Sequence, residues 1–338
     1  MKILILRFSS IGDIVLTTPV IRNLKTSSQV KEVHFATKKE YESVLSENPY
    51  IDKLHLIEST DSALRFARKL RHEGFDLVID LHNNLRSLII KTILATKSRS
   101  VNKLNTKKWL LTNFKINLLP NQHIVDRYMA TLKSLGISQD ELGLDYFIPE
   151  KDEVELNWLP KEYQNGFAAV VIGGKYATKK LPKDRIIELC DRINKPIVLI
   201  GGQEEAATGN AVETFFKAYE KPTIYDKGLE ELGKKAIVFN ACGKFNLNQS
   251  ASLVKQASWV FSQDTGMMHI ASAFKKDIFT IWGNTIPEFG MYPYRTKFTI
   301  FENKKINCRP CSKLGYSKCP KGHFKCMNDL KFDFYIPD

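Results

Sequence analysis

What most limits the fold of this chain is its rhythm of short apolar runs separated by helix-length stretches. The runs are Lys2–Phe8, Glu32–Ala36, Lys53–Ile57, Leu77–Asp80, Ala168–Ile172, Ile197–Ile200, Trp259–Ser262 and Ile278–Trp282. Several are unbroken apolar stretches bounded by Gly, Pro or polar residues, the pattern of strands buried on both faces of a parallel sheet. Helical patterns lie between them, over Ser62–Glu73, Asp126–Leu135, Asp184–Asn194 and Asn248–Ala257. After the first strand a helix-like stretch runs from about Ile14 to Leu24. Pro19 lies inside it, so the spacing predicts a start near Thr17 or Thr18 with Pro19 in the first turn. This alternation predicts an α/β protein with two βαβ-type parallel sheets, the second beginning near Phe167. A length of 338 residues fits two domains, and Pro149–Gln164, with its prolines and charges, is the predicted link.

Charge narrows the partners. Fifty Lys+Arg against 37 Asp+Glu leave a formal +13, which favours anionic partners. Between Asp80 and Asp126 there is no acid, while Arg86, Lys91, Lys97, Arg99, Lys103, Lys107, Lys108 and Lys115 supply eight positive charges. A solvated helix face would carry such a run, but the lack of compensating acids points to a surface that meets a polyanion. No stretch approaches the roughly 18 consecutive apolar residues of a spanning helix. Ile3–Leu6 before Arg7 is too short for the apolar region of a signal peptide, about 7–15 residues. The expected location is cytoplasmic, or at most peripheral on a membrane.

Three loops after strands carry candidate chemistry. In Arg7-Phe8-Ser9-Ser10-Ile11-Gly12-Asp13, Gly12 permits close backbone approach and Asp13 falls at the carboxyl edge of the sheet, where open α/β sheets bind ligands. Asp13 is equally suited to the N-terminus of a helix, satisfied by free backbone donors. The segment has neither a G-x-G-x-x-G fingerprint nor a Walker loop, which excludes a nicotinamide-dependent oxidoreductase. Gly173-Gly174 is followed by Lys175, Lys179 and Lys180, and lysine on a glycine loop suits a phosphate as a compact point charge. Gly201-Gly202 precedes Glu204 and Glu205, carboxylates placed to accept ribose hydroxyls or to start a helix. In Asp264-Thr265-Gly266-Met267-Met268-His269, a capping residue and a glycine open a helix. Its free amides and dipole make an anion site, with His269 one turn further on.

Taken together, Arg7…Gly12-Asp13, Lys179…Pro182 and Asp264-Thr265-Gly266-x-x-His269-x-Ala271 resemble glycosyltransferase family 9, the ADP-heptose–lipopolysaccharide heptosyltransferases. So do Asp80-Leu81-His82-Asn83-Asn84-Leu85-Arg86-Ser87, His123-Ile124-Val125-Asp126-Arg127-Tyr128 and Cys308-x-x-Cys311…Cys319-Pro320…His323-x-x-Cys326. The resemblance implies a GT-B architecture, two Rossmann-like domains facing a central cleft, with a C-terminal helix crossing back to the first domain. The implied bounds are 1–153 for the acceptor domain, 154–315 for the nucleotide-sugar domain, and 316–338 for a cysteine-containing tail on the first domain. It implies an inverting, metal-independent transfer with Asp13 as general base. The implied donor contacts are Gly174, Thr178, Lys179, Glu205 (or Glu204), Phe245, Asp264, Thr265, Gly266 and His269. Arg7, Gly12, Arg86 and Arg127 would face the acceptor. No cofactor is implied; the donor is an ADP-sugar and the acceptor an anionic lipopolysaccharide core, met at the inner membrane. The rival readings are transfer of another nucleotide-activated sugar to a surface glycan, and a basic nucleic-acid-binding protein, for which no recognition motif is found.

The cysteines divide into two groups. Cys190 and Cys242 stand alone in apolar surroundings, as inert buried thiols do. Cys308, Cys311, Cys319 and Cys326, with His323, have ligand types that tetrahedral zinc accepts, yet the wide second spacing favours a reduced packed cluster over a structural zinc.

Overall fold

The computed structural model describes residues 1–219 and 236–336. One sheet collects β1 (Lys2–Leu6), β2 (Glu32–Lys38), β3 (Lys53–Ile57), β4 (Leu77–Asp80) and β5 (Ser98–Ser100) in the order β3-β2-β1-β4-β5. The other collects β6 (Ala168–Val171), β7 (Ile197–Ile200), β8 (Val238–Asn240), β9 (Trp259–Gln263), β10 (Ile278–Trp282) and β11 (Phe298–Glu302) in the order β11-β10-β9-β6-β7-β8. All of these pairings are parallel. The helices are α1 (Ile11–Val15), α2 (Thr18–Lys25), α3 (Ala63–Arg71), α4 (Leu85–Leu94), α5 (Asn105–Phe114), α6 (Ile124–Met129), α7 (Lys183–Ile193), α8 (Ala206–Tyr219), α9 (Leu247–Gln256), α10 (Gly266–Ala273) and α11 (Lys325–Asn328).

The unbroken apolar runs have a direct cause. Ile3 and Ile5 of β1 enter one core with Val15, Val20 and Tyr128, while Leu4 and Leu6 enter another with Phe66, Leu70 and Ile90. Ala168 and Val170 of β6 likewise separate from Ala169 and Val171. Alternate side chains feed opposite faces and both faces are dry, so neither position can be polar. Each buried Ile or Leu contributes about 1.5–3 kcal/mol.

Several local expectations change. The stretch after β1 forms two helices, because α1 starts directly after Ser10; Pro19 does fall in the first turn of α2. The predicted link Pro149–Gln164 is not a free linker. It runs through three 3-10 turns, and its Val154, Leu159 and Tyr163 are buried in the core under the second sheet.

The C-terminal segment runs differently from the expectation. Cys326, Met327, Leu330 and Phe332 are buried against the second sheet, and Arg185 and Arg192 of α7 donate to the carbonyls of Leu330 and Phe332. Among the described residues the tail therefore packs on the second half and does not return to the first. The cause lies in the sheet: Phe261, Phe279 and Phe301 of β9, β10 and β11 present a stacked aromatic row, which Phe332 and Phe334 cover. The halves are joined instead by the loop after β10. Gly290 O accepts from Ile124 N at 2.8 Å, Phe289 O from Arg127 Nη2 at 3.0 Å, and Asp126 Oδ1 from the Tyr294 hydroxyl at 2.9 Å.

Phe332→Ala should leave a cavity beneath that row and cost about 3–5 kcal/mol, read as a lower urea midpoint and Tm. An unchanged midpoint would mean the tail is not part of the second core.

Candidate active site

In both sheets the strand order reverses at the strand that precedes a singled-out loop. The first reverses between β1 and β4, the second between β6 and β9. Ligands of open α/β sheets bind outside the carboxyl ends of the strands at such points. The β1 loop carries Arg7 to Asp13, the β6 loop Gly173 to Lys180, and the β9 loop Asp264 to Gly266.

Two of these loops meet. A Cβ on Gly12 would lie 2.6 Å from His269 Cδ2 and 3.2 Å from Gly266 Cα, and one on Gly266 would lie 2.9 Å from Ile11 Cγ2 and 3.1 Å from Gly12 N. Helices α1 and α10 thus touch backbone to backbone, which requires glycine on both sides. This contact holds Asp13 beside the N-terminus of α10.

Asp13 is three-quarters enclosed. Its Oδ1 lies 2.7 Å from Arg7 Nη2, and its Oδ2 accepts from Ser10 N at 3.3 Å and Ser10 Oγ at 3.1 Å. Burial opposes the charge, but the Arg7 guanidinium and the Ser10 hydrogen bonds hold this carboxyl below the usual carboxylate range. Asp13 thus caps the first turn of α1 through Ser10 while its other oxygen meets Arg7. Arg7 is buried and fixed in turn, donating to Ser9 O at 2.8 Å, Leu81 O at 2.6 Å and the Tyr128 hydroxyl at 3.0 Å.

Opposite stands a cationic and amide-rich wall. Lys179 Nζ lies 2.5 Å from Asp264 Oδ2, which also accepts from Thr285 Oγ1 at 2.7 Å. Asp264 thereby positions Lys179 at the mouth of α10. A Cβ on Gly174 would reach Thr265 Cγ2 at 3.4 Å, so the glycine loop lies along the same turn. Burial pushes His269 down to about 4, leaving a neutral imidazole. Its Nδ1, together with Thr265 Oγ1, Gln263 Oε1 and both side-chain polar atoms of Asn284, is buried without a partner within the protein. Each such atom costs about 1–3 kcal/mol, a concentration of unmet polarity that a polar ligand would satisfy.

The other expected residues have different surroundings. Thr178 is buried, and its hydroxyl accepts from Tyr316 N at 2.8 Å, so it ties the C-terminal segment rather than facing the cleft. Glu205 is buried with Oε1 2.5 Å from Lys180 Nζ and Oε2 accepting from Gly202 N at 2.9 Å; Glu204 is the exposed carboxylate. Phe245 is half-buried on the core beneath β7 and β8. Arg86, at the start of α4, lies over the Phe8 ring at 5.6 Å. Arg127 is buried, and its Nε and Nη1 lack partners in the protein. Lys103 and Lys108 were visible only as members of a basic run, yet both feel the charge of Asp13. Burial and the neighbouring Arg127 push Lys108 down to about 8. Gln263, Asn284 and Thr285 have no motif of their own and emerge only from the fold.

The four C-terminal cysteines are free thiols. Burial pushes Cys311 up to about 12 and Cys326 up to about 11, and Cys308 Sγ lies 3.8 Å from His323 Nε2. Cys242 is likewise pushed up to about 12 by burial.

The profile of glycosyltransferase family 9 (heptosyltransferase) matches residues 63–320. The chain belongs to this family. This family 9 glycosyltransferase is 26% identical over 325 residues to Lipopolysaccharide heptosyltransferase 1 of Campylobacter coli, covering 91% of its own chain and 89% of that relative. Its fold is similar to Escherichia coli ADP-heptose lps heptosyltransferase II, with a TM-score of 0.67 at 18% identity over 97% of this chain and 98% of the other. Escherichia coli heptosyltransferase WaaC with ADP gives 0.62 at 21% identity, over 89% and 93%. The architecture is GT-B.

Gly12→Ala would force the α1–α10 contact apart, since His269 is an aromatic ring within a packed helix. The expected cost is about 1–3 kcal/mol, read as a fall in Tm, with a matching loss of transferase turnover. Wild-type Tm and turnover would refute the contact.

Proposed function

We propose that this glycosyltransferase moves a heptose from ADP-heptose to the inner core of a lipopolysaccharide precursor in one inverting displacement, with Asp13 as general base. The observation that carries the reading is the seating of Asp13 across the Gly12–Gly266 contact from Lys179 and the α10 N-terminus. The acceptor hydroxyl oxygen attacks the anomeric carbon while its proton passes to the Asp13 carboxylate. The bond from that carbon to the diphosphate oxygen breaks, and its electron pair leaves with ADP. A single displacement needs one base and no covalent nucleophile.

The negative charge on the departing diphosphate calls for fixed positive partners. Lys179, pinned by Asp264, and the amides of Thr265 and Gly266 at the start of α10 supply them without a divalent ion. Neutral His269 does not compete with Asp13 for the proton. The base stays ionised at neutral pH because Arg7 keeps its carboxyl low. Glu204 or Glu205 for the ribose and Phe245 for the base belong to this proposal through the neighbouring β7 and β8 loops.

For the acceptor, the proposal assigns Arg7 and Gly12 to shaping the Asp13 side of the cleft, and Arg86, Arg127, Lys103 and Lys108 to the anionic sugar. Exposed Leu85, Leu88, Trp109 and Phe114 stand on α4 and α5 among exposed Lys97, Arg99 and Lys107. Apolar side chains among cations suit an anionic membrane surface that carries the acceptor. No helix among the described residues is long and apolar enough to cross a membrane.

The reading is tested by incubating the protein with ADP-heptose and a heptose-free core precursor and weighing the product. A gain of one heptose is expected; transfer only from other sugar nucleotides would overturn the sugar assignment. Asp13→Asn should keep the fold and ADP affinity while lowering kcat by at least ~10²-fold; near-normal turnover removes Asp13 from the chemistry. Lys108 loses its charge as pH rises through about 8. The acceptor KM should therefore rise above that pH, and Lys108→Gln should raise it at pH 7 and flatten the dependence.

A further inference from the structure

We propose that His34, His55 and Glu73 form a zinc site on the first sheet, apart from the cleft and independent of the transferase reading. His34 lies on β2 and His55 on β3, where His55 pairs with Ala36, so the two imidazoles share one face two positions apart. Glu73 follows the end of α3. The ligand atoms of all three lie within 4.8 Å of one another.

The histidine geometry is the deciding feature. His34 is buried, and its Nε2 lies 3.2 Å from Glu32 Oε2, which fixes a proton on that nitrogen. The lone pair on its Nδ1 then points at His55 Nε2, 2.9 Å away. A metal-bound histidine characteristically donates its other ring N–H to a carboxylate, the part Glu32 plays here. Zinc–nitrogen bonds of about 2.0–2.1 Å at a tetrahedral angle place two nitrogens about 3.3 Å apart, so the rings need part by only about 0.4 Å. Phe75 meets both imidazoles edge-on, at 5.3 and 6.0 Å, and limits their rotation.

Glu73 is shared. Its Oε1 lies 2.5 Å from Lys53 Nζ and its Oε2 3.1 Å from Lys2 Nζ. Lys53 is half-exposed and can swing into water, handing Oε1 to the metal. His55 then carries its proton on Nδ1, so binding needs no net proton change there. The bound ion would pin edge strand β3 to β2 and to the end of α3.

The test uses the full chain stripped by a chelator, titrated with zinc chloride by calorimetry and with cobalt(II) by absorption. One equivalent should bind and raise Tm by about 2 °C or more. The cobalt spectrum should lack a thiolate charge-transfer band and persist in Cys308→Ser/Cys311→Ser. His55→Gln and Glu73→Gln, each with unchanged circular dichroism, should weaken binding at least 10-fold, and Glu32→Gln by about 10-fold. Lys53→Gln should tighten it. Absence of binding by the wild-type chain would overturn the proposal. So would affinity untouched by His55→Gln and Glu73→Gln, or a thiolate band lost with Cys308→Ser.

Discussion

Two glycines facing one another across the halves set the terms for everything around them. Gly12 and Gly266 let α1 and α10 approach at backbone distance. Any side chain at either point would hold apart the acid on one half and the start of α10 on the other. The pairing is steric before it is electrostatic: the charges act at short range only because no Cβ intervenes.

Around that contact the charges are arranged in nested pairs. Arg7 fixes Asp13, Asp264 fixes Lys179, and Glu205 fixes Lys180. Each member of the first two pairs is at least partly enclosed, so removing one partner leaves the other charge uncompensated in a poorly hydrated place. Asp13 and Lys179 are thus each held by a partner of their own and do not neutralise each other directly.

Much of this was legible in the sequence, for identifiable reasons. Strands such as β6 and β7, Ala-Ala-Val-Val and Ile-Val-Leu-Ile, announce themselves because both faces are buried and no polar residue fits. Strands β5 and β8 are only three residues long, and β5 is Ser-Arg-Ser, so edge position erased the signal. Helices α4 and α5 expose Leu85, Leu88, Trp109 and Phe114, which blurs the one-sided stripe that marks a core-facing helix. Gly12, Asp13 and Asp264–His269 could be singled out because glycine and acid stand in the loops beyond the carboxyl ends of strands, where open α/β sheets bind ligands. The partners of Thr178 and Glu205, Tyr316 and Lys180, emerge only from the fold. The course of the C-terminal tail depended on which aromatic row needed covering, and His34, His55 and Glu73 meet only through strand register and the end of α3. Neither is a local property of the chain.

The loop from Asn284 to Arg295 belongs to the second half by connectivity but is bonded to both halves, to the second through Asp264 and Ser272. Through Phe289, Gly290, Tyr292 and Tyr294 it engages Arg127, Ile124, His123 and Asp126. Hybrids that splice the halves of two homologues at the link near residue 150 would therefore separate this strap from its anchorage and strand a buried guanidinium. A workable chimera has to carry the segment 123–127 and the strap together, as one inherited unit that ignores the domain boundary.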